Sequence, residues 1–271
     1  MRSMAKARIV RFHIIFASAC LCFALGAENA NADPEDDSWR FALGGGVVST
    51  PKFPGSKDFK TEVVPVIGVT YGRFFVGGVP GSGTPAGVGV NLYQDSHWRL
   101  GAAISADVFS PRKESDDSHL HGLGDINRTA RAGVFASYTY DWLSVRANVG
   151  SDILNKKQGT VVGLEVEASY HPTDRLTLSA GPGITWADSR YMQTFFGVDA
   201  EQSARSGLPA FDAKSGISNV RFSVGANYQF DPHWSVGARF SAARLRGDAA
   251  GSPIAEKASQ NTTGVFVVYR F

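Results

Sequence analysis

The residues best suited to chemistry sit close together in one polar stretch. It reads Ser110-Pro111-Arg112-Lys113-Glu114-Ser115-Asp116-Asp117-Ser118-His119-Leu120-His121-Gly122-Leu123-Gly124-Asp125. Adjacent carboxylates and two histidines are the parts with which a hydrolase activates water, here through Asp116, Asp117 or His119. His119 and His121 would also serve as metal ligands. The spacing argues against both uses. A His-x-His pair reaches one ion only from a strand, and no third ligand stands at a recognised offset. The bland reading, a solvated charge run with glycine turns, explains the same residues. The remaining candidates, His97, His171 and His233, lie in turns beside aromatic residues, where interfacial anchoring accounts for them. No Gly-x-Ser-x-Gly, His-Glu-x-x-His or phosphate loop occurs. The sequence therefore names no catalytic, metal or cofactor site, and the expectation is a protein that is not an enzyme.

The elements that would have to position such residues are strands. Beyond Trp39 the chain divides into twelve segments of alternating polarity: 39–48, 60–71, 73–79, 86–93, 98–109, 129–140, 142–152, 159–170, 175–186, 218–230, 234–245 and 262–271. Side chains alternate across a strand, so period two gives one apolar and one polar face. In the tenth segment Val220, Phe222, Val224, Ala226, Tyr228 and Phe230 alternate with Arg221, Ser223, Gly225, Asn227 and Gln229. Most segments approach the ~10 residues a tilted transmembrane strand needs.

Connections alternate as well. Tight turns at Gly72, 94–97, Asp141, 171–174 and 231–233 are interleaved with longer links at 49–59, 80–85, 110–128, 153–158, 187–216 and 246–261. Short periplasmic turns and long extracellular loops are the layout of an outer-membrane barrel. Tyr71, Tyr93, Trp98, Tyr140, Trp142, Tyr170, Phe230 and Trp234 flank the short turns, as in a girdle at headgroup level. A water-soluble sandwich or lipocalin-like barrel would show the same alternation with its apolar face inward, but it has no need to gather aromatics at one rim. The fold expected is all-β: a transmembrane antiparallel up-and-down barrel of about twelve strands. Its outward faces would meet membrane lipid.

Arg2, Lys6, Arg8 and Arg11, an apolar run over 14–25 and the small residues Ala30-Asn31-Ala32 describe a cleavable export signal over 1–32, with a single barrel domain over 33–271. Both cysteines, Cys20 and Cys22, fall in the signal, so no disulfide framework is expected afterwards. Without 1–32, the 27 Lys+Arg and 25 Asp+Glu fall to 23 and 24. That near-neutral balance argues for no nucleic-acid partner.

With apolar faces toward lipid, the polar faces line the lumen. Arg99, Asp107, Arg131, Arg146, Glu165, Glu167, Arg221 and Arg239 fall there. Setting Trp98 against Tyr140 places Asp107 opposite Arg131, and the seventh and eighth segments bring Arg146 near Glu165. Opposite charges across strands stabilise a pair and help set its register. Such pairs either brace and plug a narrow lumen or line a polar conduit. In the last segment Val265, Val267, Tyr269 and Phe271 share one face and end on an aromatic, the form of signal that bacterial outer-membrane insertion machinery reads.

Several stretches resemble the MipA/OmpV family: Pro54-Gly55-Ser56-Lys57-Asp58-Phe59-Lys60; Arg112-Lys113-Glu114-Ser115-Asp116-Asp117 with Leu120-His121-Gly122-Leu123-Gly124-Asp125; Trp186-Ala187-Asp188-Ser189-Arg190-Tyr191-Met192-Gln193-Thr194-Phe195-Phe196-Gly197-Val198; Gly247-Asp248-Ala249-Ala250-Gly251-Ser252-Pro253-Ile254; and Tyr269-Arg270-Phe271. Phe53-Pro54 stands where a tyrosine is usual, and Gly251 where an acid is usual. The resemblance implies a non-enzymatic barrel of the outer membrane in a Gram-negative bacterium. One member of the family is a scaffold joining a murein lytic transglycosylase to a bifunctional penicillin-binding protein, and others are described as adhesins or osmotically regulated surface proteins. No catalytic residues come with the family.

Overall fold

The computed structural model describes residues 38–77, 87–107 and 111–271. The export signal expected over 1–32 lies outside the described residues, as do Val108 and Phe109 of the fifth segment. Twelve strands follow in order: β1 (Trp39–Pro51), β2 (Phe59–Tyr71), β3 (Phe74–Gly77), β4 (Gly87–Gln94), β5 (Trp98–Ala106), β6 (Ala130–Tyr140), β7 (Leu143–Asp152), β8 (Thr160–Thr173), β9 (Leu176–Ala187), β10 (Gly216–Gln229), β11 (Trp234–Leu245) and β12 (Ser259–Arg270). Each pairs antiparallel with its sequence neighbour, and β1 pairs with β12 to close the cylinder, Leu43 facing Tyr269 and Val47 facing Val265. Closure leaves the sheet without an outer edge, which a lipid-embedded sheet requires because no water is present to satisfy an open row of N–H and C=O groups.

Alternation decides which side chains meet lipid. Phe222 is 52 % exposed while the neighbouring Ser223 is 4 % exposed, so the apolar face looks outward and the polar face inward. The wall ends at the short-turn rim in paired rings: Trp39 lies tilted against Tyr71 (4.7 Å between centroids), Trp98 tilted against Tyr138 (4.8 Å) and Trp234 edge-on to Tyr269 (5.0 Å). The turns themselves are tight. Gly72 and Asp141 take φ of 50° and 51°, the left-handed conformation that two-residue hairpin turns demand.

Strand ends depart from the expected bounds in understandable ways. Of the third segment, Phe74–Gly77 are strand and 78–79 lie outside the described residues, while β8 continues through His171 and Pro172 to pair Thr173 with Leu176. β12 begins three residues early, at Ser259 opposite Arg244. One register is corrected. Trp98 stands opposite Tyr138 rather than Tyr140, and Arg131 opposite Ser105 rather than Asp107. His97 extends the ladder below β5, its carbonyl accepting the Thr139 N–H at 2.8 Å, and its ring stacks on Tyr138 and Tyr140. The shift is two residues, so every side chain keeps its face.

Candidate functional site

Midway through the lumen, β7, β8, β10 and β11 supply a compact layer of charge. Arg146 faces Glu165 across the β7–β8 ladder, contacting it at 2.8 Å and Glu167 at 2.5 Å. Arg239 reaches the same two carboxylates at 3.2 and 2.8 Å. Arg221 meets Glu165 at 2.9 Å and donates to the Thr185 hydroxyl at 3.0 Å. Arg221 and Glu165 flank a single residue of the intervening strand, Gly183. A Cβ on Gly183 would stand 2.8 Å from the guanidinium, so glycine is what lets the arginine lie flat across β9. Three guanidinium groups thus share two carboxylates, with Arg146 and Glu167 only 5 % and 3 % exposed. Side chains occupy this part of the bore.

A second group lies nearer the long loops. Arg131 meets Asp107 at 3.0 Å, diagonally across the ladder, and also bonds Gln158. Gln158 in turn donates to the Asn127 carbonyl at 2.5 Å, and Thr129 bonds Asp152. Arg99 faces inward near the short turns, opposite Gln94 and Ser137. Phe271 closes the β1–β12 seam, its N–H donating to the Phe41 carbonyl at 3.0 Å. Val265, Val267, Tyr269 and Phe271 share the outward face, with the Tyr269 and Phe271 rings 4.8 Å apart.

The other side of the bore carries two apolar clusters among its polar residues. Phe75 and Phe135 meet edge to face at 6.0 Å, and Val48, Val64 and Phe266 form a second buried cluster. Each ring needs bare backbone beside it. A Cβ at Gly101 would overlap the Phe135 ring, and one at Gly46 the Phe266 ring.

Above these layers, four long links meet over the mouth. Residues 52–58, 111–129, 188–215 and 246–258 bury Phe53, Leu120, Leu123, Val198 and Ile254 together, each at most 2 % exposed. Helix α1 (Ser189–Phe196) is capped by Asp188, and α2 (Ala200–Ser206) by a reciprocal Asp199–Gln202 capping box. α1 turns Met192, Phe195 and Phe196 into a second core with Ile126, Ala187 and Leu245, where α3 (Gly247–Gly251) adds Ala249. Polar bonds stitch the links together: Ser252 to the Phe196 carbonyl at 2.5 Å, Arg205 to the Gly122 carbonyl at 3.1 Å and His119 to the Pro253 carbonyl at 3.1 Å. This apolar content was visible as residues, but the links that share it are far apart in sequence.

The stretch singled out for chemistry is woven into this cap. Asp116 accepts the Lys113 N–H, and Asp117 accepts the His119 N–H and pairs with Lys52 at 3.2 Å. The His119 N–H, more than the Lys52 ammonium, holds the Asp117 carboxyl below its ordinary value. His119 turns its ring nitrogen to Pro253, while His121 is exposed. Among the described residues no three His, Cys, Asp or Glu side chains come together as a metal site. Arg112 is 2 % exposed, with Nη1 donating to the Phe195 carbonyl at 3.2 Å. Burial brings its pKa down to about 10, so it remains a cation at neutral pH.

A closed cylinder, apolar outside and polar within, with an aromatic girdle at one rim, defines a transmembrane β-barrel. The chain matches the family model described as "MltA-interacting protein MipA" over residues 43–271. It belongs to that family. It is 27 % identical over 237 residues to the MltA-interacting protein of Escherichia coli (strain K12), covering 86 % of this chain and 90 % of that one. It is 25 % identical over 214 residues to the putative outer membrane protein YiaT of the same organism, covering 78 % and 82 %. It is 26 % identical over 175 residues to outer membrane protein OmpV of Vibrio cholerae serotype O1, covering 64 % and 65 %. The protein is an outer-membrane barrel of the MipA/OmpV type.

Proposed function

We propose that this barrel is a non-enzymatic scaffold whose periplasmic rim receives murein-remodelling enzymes: a lytic transglycosylase and, by the family resemblance, a penicillin-binding protein. The observation that carries the reading is the paired and largely buried Arg146–Glu165–Glu167 layer in the bore beneath a packed cap, which favours walls and rims as the surfaces for partners. The name of the E. coli relative, MltA-interacting protein, supports the choice of partner. The outward row Val265, Val267, Tyr269 and Phe271 is the segment that insertion machinery would read.

Capture from detergent-solubilised envelopes tests the scaffold. Wild-type protein should retain a lytic transglycosylase, and reversing the turn charges (Asp141→Arg with Asp174→Arg) should release it. A wild type that retains no murein enzyme overturns the reading. The excess of arginine over carboxylate in the central layer favours one alternative, a small-solute pore. Planar-bilayer recording decides between them. The scaffold gives no reproducible conductance steps, and steps that change in Arg131→Ala or Arg221→Ala establish the pore instead.

A further inference from the structure

The link between β7 and β8 places greasy and cationic side chains on one outward ledge at the long-loop rim. Ile153 and Leu154 are about half exposed, at 49 % and 53 %. Ile153 continues the outward row that Val149 occupies on β7. The link is held in shape from within. The Asp152 carboxylate accepts the N–H groups of Leu154 and Gln158, each at 3.0 Å. Asn155 and Lys157 adopt φ of 52° and 63°, a conformation non-glycine residues seldom take without such support. Lys156 and Lys157 are exposed immediately beyond the apolar pair.

Helix α1 adds a third cation. The Thr194 hydroxyl donates to the Lys157 carbonyl at 2.5 Å. Arg190 lies one turn earlier on the same helix face and is exposed. The carboxylates closest in sequence are engaged elsewhere, Asp152 inside its own link and Asp188 as the α1 cap. From the wall outward the ledge therefore runs apolar, then cationic. Lipid in a leaflet has the same order, with acyl chains below and phosphates above.

The geometry points to a binding site for a phosphorylated glycolipid of the outer leaflet, its acyl chains against Ile153 and Leu154 and its phosphates against Lys156, Lys157 and Arg190. This site is independent of the scaffold reading, which uses the opposite rim.

The test uses full-length protein reconstituted in neutral phosphatidylcholine nanodiscs doped with lipid A or with lipid A stripped of its phosphates. Retained glycolipid is counted by native mass spectrometry, and heat-modifiable gel migration confirms that each variant is folded. Wild type should retain lipid A at least roughly tenfold better than K156A/K157A/R190A, since each cation near a charged surface contributes measurably. It should prefer lipid A to the dephosphorylated form by a similar factor. I153N/L154N, which keeps every charge, should weaken retention as well. Equal retention of the two glycolipids, or undiminished retention by the folded triple variant, overturns the site.

Discussion

Along β7, β8, β10 and β11 the bore is lined by three guanidinium groups around two carboxylates, whereas along β1, β3, β6 and β12 it is lined by phenyl rings laid against glycine. Both solutions join neighbouring strands, but they depend on different things. The ionic side depends on partners. Each charge removed from water is tolerated because another answers it, so deleting one strands the rest. The apolar side depends on shape. A ring sits where the adjacent strand offers no side chain, so adding even one methyl forces a neighbour to move. The ionic side should therefore be the more sensitive to subtraction and the apolar side to addition.

The comparison breaks most clearly at Glu165, which answers Arg146, Arg221 and Arg239 together. Glu165→Ala should cost about 3–5 kcal/mol of folding stability, because buried cations lose their counter-charge. Urea unfolding in lipid vesicles, followed by tryptophan emission, measures the loss. A cost below that of an exposed pair would mean that water reaches the layer. Next comes Gly101→Val, which drives a side chain into the Phe135 ring and should cost about 1–3 kcal/mol by the same assay. A neutral outcome would mean that the apolar side is loosely packed.

The smallest effect belongs to charge left in water. At the short-turn rim, the Asp95 carboxylate accepts the backbone N–H groups of Trp98 and His97 and the Tyr93 hydroxyl, each at 2.7 Å. Those bonds, that of Trp98 foremost, hold its pKa to about 2 against an ordinary 3.8. A depressed carboxyl contributes stability above its unfolded pKa and loses it as pH falls through the folded one. The difference in melting temperature between wild type and Asp95→Ala should accordingly be small and constant from about pH 7 to pH 5, closing by about pH 2. A gap that widens in acid would refute this account of the turn.

How far such features can be read before folding depends on what separates the partners. Arg146 and Glu165 lie on consecutive strands joined by the link 153–159, far shorter than the one between β5 and β6, so face and order suffice to pair them. Asp107 and Arg131 were also legible as a pair, but not their register, because the link of more than twenty residues between β5 and β6 leaves the ladder free to shift by two. Arg221 with Glu165 was not legible as a contact. It spans β9 and depends on Gly183 lying between them. The cap was least legible. Phe53, Leu120, Val198 and Ile254 come from four different links, and nothing local in any of them says which surface will cover it.

The sequence by itself determined the cylinder, because period-two alternation assigns every strand residue to lipid or lumen and short turns force each strand to pair with the next. Only the tertiary structure decided which side chains meet in the bore and what covers it. Those contacts join side chains from strands and links that become neighbours when the sheet curves shut, and the closed curve, rather than any local propensity, sets their distances.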